Sequence, residues 1–347
     1  MDRAVRFLNA CRNLPVDCTP VWIMRQAGRY LPEYRAVRSR IGFLDLCKSP
    51  DLVAEVTVQP VDRLGVDAAI LFSDILVPLE GMGIPIEIGD GGPNLPEPIR
   101  TASDVARLAV PDPTEATGFV LEGIRRTRAA LGGRVPLIGF AGAPFTLAAY
   151  AVEGGGTKTF SRIKSLLFSD PKTAHALLER IARTIGSYLA AQIEAGAQAV
   201  QIFDSWAGSL TPRDYDVFAG PYVRHVIECL PKGKVPVIIF GVETGSLLER
   251  MRDTGADVVG VDWRVPLDEA RERLGWSVAI QGNLDPCALF APPEEIERRV
   301  RDVLERVDGA SGHVFNLGHG ILPETPVEHA IAMVEAVHRL SARPDAA

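Results

Sequence analysis

Eight short apolar runs recur along the chain and restrict its fold more than any other feature. They are "PVWIM" (20–24), "AAILF" (68–72), "PLIGF" (136–140), "AVQIF" (199–203), "PVIIF" (236–240), "VVGVDW" (258–263), "VAIQGN" (278–283) and "VFNLG" (314–318). Each has five or six residues, is rich in β-branched side chains and lacks polar alternation. That pattern predicts strands buried on both faces. Helix-like stretches separate them. In "SDPKTAHALLERIARTIGSYLAAQIEAG", Ser169 or Asp170 is placed to cap, Pro171 to start and Gly196 to stop a helix. "PPEEIERRVRDVLERVDG" and "PVEHAIAMVEAVHRL" read the same way, and "MDRAVRFLNACRNLP" predicts an amphipathic helix with Val5, Leu8 and Cys11 on one face. Three strands are entered through one formula, a glycine (Gly65, Gly196, Gly255) three residues ahead of the run.

Parallel strands alternating with helices predict a single-domain α/β fold over residues 1–347, a closed (β/α)8 TIM barrel, with an open doubly wound sheet as the alternative. No G-x-G-x-x-G follows the first run, which lowers the dinucleotide-binding option. The Gly/Pro-rich stretch 81–99, with its alternating isoleucines, predicts an inserted hairpin, and 341–347 a frayed tail.

Composition narrows the function classes. With 47% hydrophobic residues the chain can bury a large core, yet no apolar run approaches the ~20 residues of a membrane-spanning helix. The first fifteen residues are too polar for a secretory signal. Five widely spaced cysteines without a C-x-x-C fit a reducing compartment, and the reading is of a soluble, cytoplasmic protein. A net charge of -7 speaks against nucleic acid as a partner.

Against that acidic background, "WIMRQAGRYLPEYRAVRSR" (22–40) carries five arginines and one acid. Arg35, Arg38 and Arg40 read as solvated surface charges. Arg25 and Arg29 stand four apart around a glycine, directly behind a buried run. In a barrel, chemistry gathers at the C-terminal ends of the strands. Those positions hold Arg25 and Arg29, Asp74, Tyr150 a little beyond its strand, Asp204 with Ser205, Asp262, Gln281 with Asn283, and His319. Asp74 is the only charge in "AAILFSDILVPL", where an ionised carboxylate needs a cation, from Arg25, Arg29 or a ligand. His319 lies between Gly318 and Gly320, which permit close approach. Ser205 lacks a G-x-S-x-G elbow, and "VEGGG" (152–156) lacks the ending of a phosphate loop. The six histidines never fall in a metal-binding spacing, so the expected chemistry is electrostatics and proton transfer, with no metal and no cofactor.

Taken together, the motifs resemble the uroporphyrinogen decarboxylase family. "PVWIMRQAGRYLPEYR" and "GFAGAPFTLAAYAVEGG" match its two signatures, and "LFSDIL", "FDSWAG", "QGNLDPCAL" and "NLGHGILP" follow in its order. The resemblance implies a (β/α)8 homodimer that removes the four acetate carboxylates of uroporphyrinogen III without cofactor or metal, giving coproporphyrinogen III. It implies a substrate-binding loop Arg25-Gln26-Ala27-Gly28-Arg29, a central carboxylate at Asp74, and substrate contacts at Tyr150, Ser205 and His319. Arg25 and Arg29 are implied to grip substrate carboxylates, and Asp74 to stabilise a cationic pyrrole. The proton donor stays open among Arg25, Arg29, a bound water, Tyr150 and His319. One departure shows: Gly241-Val242-Glu243 stands where many relatives carry a lysine near the strand end. The competing readings are a zinc-dependent methyltransferase of the related barrel superfamily, which would need ligands such as Cys287, and a non-catalytic tetrapyrrole carrier.

Overall fold

The computed structural model describes residues 1–89, 91–307 and 311–343. The main sheet is parallel and seven-stranded: β1 (Ala69–Ile70), β4 (Leu137–Gly142), β5 (Ala199–Asp204), β6 (Val237–Gly241), β7 (Val258–Gly260), β8 (Ala279–Gln281) and β9 (His313–Val314), neighbours in that order. Every residue of these strands is buried, because the sheet packs side chains on one face and helices on the other. A separate antiparallel pair, β2 (Glu87–Gly89) and β3 (Gly92–Asn94), forms the expected hairpin within 81–99. Gly81 itself still belongs to the helix Val77–Gly81, and Asp90 lies outside the described residues.

The expected closed barrel of eight strands is corrected to a seven-stranded sheet, because the first apolar run forms no strand. It makes one parallel bridge, Val21 to Phe315. The cause is local. Pro20 has no N–H to offer a ladder, and side chains claim three of the four donors that follow it, Trp22 N–H alone going to a backbone carbonyl, Phe315 O (3.3 Å). Val21 N–H goes to Asp67 Oδ2 (2.8 Å), Ile23 N–H to Gln26 Oε1 (3.1 Å) and Met24 N–H to Asn316 Oδ1 (3.0 Å). The run nevertheless lies between the two edge strands: Phe315 N–H donates to Pro20 O (2.8 Å) and Asp67 N–H to Val21 O (2.7 Å).

The long helix spans Pro171–Ala195, capped by Asp170, whose carboxylate accepts from Thr173 N, and closed by Gly196 at φ 120°. Gly65 (φ 73°) and Gly255 (φ 97°) likewise turn the chain through the left-handed region ahead of β1 and β7. The N-terminal helix Arg3–Cys11 buries Phe7, Ala10 and Cys11; of the expected face, Cys11 is buried and Leu8 half-buried against the core, whereas Val5 is exposed. The start of the tail is tied rather than frayed. Thr19 N–H donates to Ser341 Oγ (2.8 Å) and Arg343 N–H to Asp17 O (2.8 Å), while 344–347 lie outside the described residues. No helix among the described residues is long and apolar enough to cross a membrane.

Candidate active site

Four of the apolar runs end in phenylalanine, and the fold puts those four rings at one end of the sheet. Phe72, Phe140, Phe203 and Phe240 all line a cavity of about 440 Å³. Phe203 packs edge-on against both Phe140 and Phe240 with centroids 5.5 and 6.2 Å apart, so the floor is apolar and rigid. The first run ends at the same level. Its Met24 O accepts Ile321 N–H (2.9 Å), which fastens the loop carrying His319 to the loop carrying Arg25.

Arg25, Ala27, Gly28, Arg29, Asp74, Tyr150, Ser205 and His319 all line this cavity. Gln26 does not. Its side chain is fully buried, accepting from Ile23 N and donating to Ala68 O (3.1 Å), so it braces the loop from beneath instead of contacting a ligand. Arg35 supports the same loop by donating to the carbonyls of Arg29 (2.7 Å) and Tyr30 (3.0 Å), and Arg38 donates to Ile41 O. These two arginines are structural rather than merely solvated.

Arg25 adopts a left-handed backbone (φ 63°), unusual for a residue with a side chain. The space is made for it by Gly28 and Gly320. A Cβ on Gly28 would lie 2.8 Å from Arg25 O, and one on Gly320 2.4 Å from Arg25 Cδ. Both Arg25 and Arg29 are exposed to the cavity mouth, and neither has an ion-pair partner among the described residues. Two guanidinium groups without carboxylate partners suit an anionic ligand.

Asp74 is the opposing charge. Burial lifts its carboxyl above the ordinary range, opposed by Leu76 N–H, which donates to Oδ1 (2.8 Å), and by the charge of Arg25. No cation among the described residues comes within ion-pair distance, so the partner expected from sequence is left to a ligand. Burial, with the Asp74 charge, pushes the Tyr150 phenol up to about 12. Burial, with Arg25 and Arg264, lowers His319 to about 4, so its imidazole is neutral near pH 7. Ser205 is half-buried on the opposite wall.

Three contributors escape motif reading. The terminal Phe of four runs was visible as a repeat, but nothing in sequence aims it at a site. Trp206 stacks on Tyr150 (centroids 3.8 Å, 26° between planes). The "VEGGG" stretch supports the hairpin, since Leu95 N–H donates to Gly154 O (3.0 Å) and Asn94 bridges to Gly155.

The cavity can hold carboxylates at one rim and a developing positive charge at its centre. A profile of the family Uroporphyrinogen decarboxylase (URO-D) matches residues 2–340. The chain belongs to the uroporphyrinogen decarboxylase family. Among its relatives, the uroporphyrinogen decarboxylase of Myxococcus xanthus is 61% identical over 334 residues, covering 96% of each chain. That of Geobacter metallireducens is 56% identical over 336 residues, covering 97% of this chain and 98% of the relative. A solved methyltransferase from Methanosarcina mazei superposes with a TM-score of 0.81 over 98% of this chain and 99% of that one. At 22% identity that likeness speaks to the fold alone. Among the described residues, no three His, Cys, Asp or Glu side chains gather in a metal-holding group, and Cys287 is exposed away from the cavity lining.

Proposed function

We propose that this protein decarboxylates the four acetate side chains of uroporphyrinogen III to methyl groups, giving coproporphyrinogen III. The observation that carries the reading is the pairing of two cations without partners, Arg25 and Arg29, with a carboxylate that burial has lifted, Asp74, over one aromatic floor. Family membership supports it.

Of the substrate's eight carboxylates, two at a time meet the two guanidinium groups bidentately, which orients the macrocycle although the protein as a whole is acidic. A proton added to a pyrrole carbon beside the acetate-bearing position makes the ring an iminium-like cation. The bond to the carboxylate then breaks, its electron pair neutralises the ring, and carbon dioxide leaves an exocyclic methylene. A second proton converts the methylene to methyl as the ring loses the first. Each decarboxylation therefore consumes one proton net, four for the conversion of one uroporphyrinogen. Asp74 accepts hydrogen bonds from pyrrole N–H groups and stabilises the cation as it forms, in a site where little water screens the interaction. Tyr150, Ser205 and His319 take the remaining polar contacts. The chain forms a single domain and works as a homodimer in the cytoplasm, as the family resemblance implies.

The test is anaerobic incubation of the purified protein with uroporphyrinogen III, followed by separation of oxidised products by carboxyl number. Seven-, six-, five- and four-carboxyl products appearing in order support the reading. Substrate that binds and is recovered unchanged would turn it into that of a carrier.

A further inference from the structure

Behind the cavity wall, one buried polar group is used by nothing described so far. Asp204, the last residue of β5, is fully buried, and its Oδ1 accepts from Thr146 Oγ1 (2.8 Å). Thr146 is itself fully buried near the start of the helix Pro144–Glu153, which also carries Tyr150. The same hydroxyl accepts Trp206 N–H (3.2 Å). Trp206 stacks on Tyr150, and Phe160 closes on the indole edge-on with centroids 5.2 Å apart. A continuous path thus runs from a buried carboxyl, through one hydroxyl, to the ring against which a cavity residue lies.

Each link constrains the next. Thr146 uses its single proton on Asp204 and a lone pair on Trp206, which fixes the hydroxyl rotor. The amide held by that lone pair begins the turn that lays the indole flat on Tyr150. The phenol at the far end of that ring faces Asp74 and Arg25 closely enough for both charges to act on it. A simple packing role would not call for a carboxyl here. Asp204 Oδ2 and the nearby Tyr215 hydroxyl are both buried without a hydrogen-bond partner among the described residues, a costly arrangement for a side chain that only fills space.

We propose that Asp204 and Thr146 are positioning residues of the decarboxylase, acting through Trp206 to hold the Tyr150 ring in its place at the cavity wall. The inference rests on the function proposed above. Removing the hydroxyl frees the indole turn and lets Tyr150 lean, which slows the chemical step while the Arg25–Arg29 rim still captures substrate.

The experiment measures kcat and KM for uroporphyrinogen III, with Tm, in the wild type and in Thr146→Val, Thr146→Ser, Tyr150→Phe and the Thr146→Val/Tyr150→Phe double variant. Thr146→Val should lose roughly tenfold in kcat, as expected for one hydrogen-bond link, with KM little changed. Thr146→Ser, which keeps the hydroxyl, should restore the rate. The double variant should be no slower than Tyr150→Phe alone, because residues acting in series are not additive. Losses that multiply in the double variant, or a wild-type kcat in Thr146→Val, would overturn the proposal. So would wild-type turnover by Tyr150→Phe. If Thr146→Val does not fold, Thr146→Ala carries the same expectation. A wild-type protein that fails to turn over at all would instead overturn the decarboxylase reading.

Discussion

Asp74 and Asp204 are two carboxyls at strand ends separated by one strand, β4, and their surroundings assign them different work. Asp74 opens into the cavity, where substrate N–H groups can reach it. Asp74→Asn keeps the shape and the Leu76 contact but removes the charge. Its Tm should match the wild type while kcat falls by about a thousandfold, the scale of losing one preorganised electrostatic stabiliser. Steady-state kinetics beside thermal melts check both halves. Asp204 is sealed, and burial raises it to about 7, opposed only by the Thr146 contacts. Its folded value lies above the unfolded one, so its contribution to stability is complete below about pH 4 and is lost as pH rises through about 7. Asp204→Asn does not titrate. Relative to the wild type it should gain on the order of 2 kcal/mol in urea denaturation between pH 5 and pH 8. A difference that stays flat with pH would contradict the assignment. Both positions are legible in sequence as strand ends, but only Asp74 stands out there, as a lone charge in an apolar stretch. Asp204 sat in plain view within "FDSWAG", but its burial depends on helix 144–153 folding over it.

The loop 25–29 is shaped by elements far away in sequence. The arginines themselves were readable, since five in nineteen positions of an acidic chain stand out. Their support was not: Gln26 reaches beneath to Ala68, and Gly320 lies against the Arg25 side chain from nearly 300 residues on. Gly320 has no left-handed backbone, so alanine is tolerated there except for the 2.4 Å approach of its Cβ to Arg25 Cδ. Gly320→Ala should therefore displace the guanidinium without unfolding the protein. KM for uroporphyrinogen should rise about tenfold or more, with Tm little changed, as fits loss of one charge-assisted contact. The same limit explains the misread first run. Its composition is that of a strand, and seven similar runs became strands. Here three of its four N–H groups go to side chains, those of Asp67, Gln26 and Asn316, and their arrival cannot be inferred from the run itself.

For the whole molecule, Asp67 is the joint that matters most. Its buried carboxylate takes Val21 N–H (2.8 Å), Arg6 Nη1 (2.7 Å) and His338 Nε2 (2.6 Å), so one side chain ties the N-terminal helix, the first run and the C-terminal helix together. Burial of such a group is tolerable only while every partner stays in place. Asp67→Ala strands a buried N–H and part of a guanidinium, and should cost about 3 kcal/mol or more in urea denaturation. The βα order of the molecule was legible because repeated apolar runs and left-handed glycines are local signals. The joint was not, because it pairs positions 6, 67 and 338, whose proximity exists only after folding.

A ring opens first at the joint where its two ends meet on one side chain. The arginine loop follows directly from the segment that Asp67 holds, so loosening there would release the substrate grip while most helices and strands persist. During gradual urea addition, enzymatic turnover should vanish at a lower concentration than the far-ultraviolet circular dichroism signal, and added coproporphyrinogen should draw the two midpoints together. The product would then act as a latch on the chain's own ends.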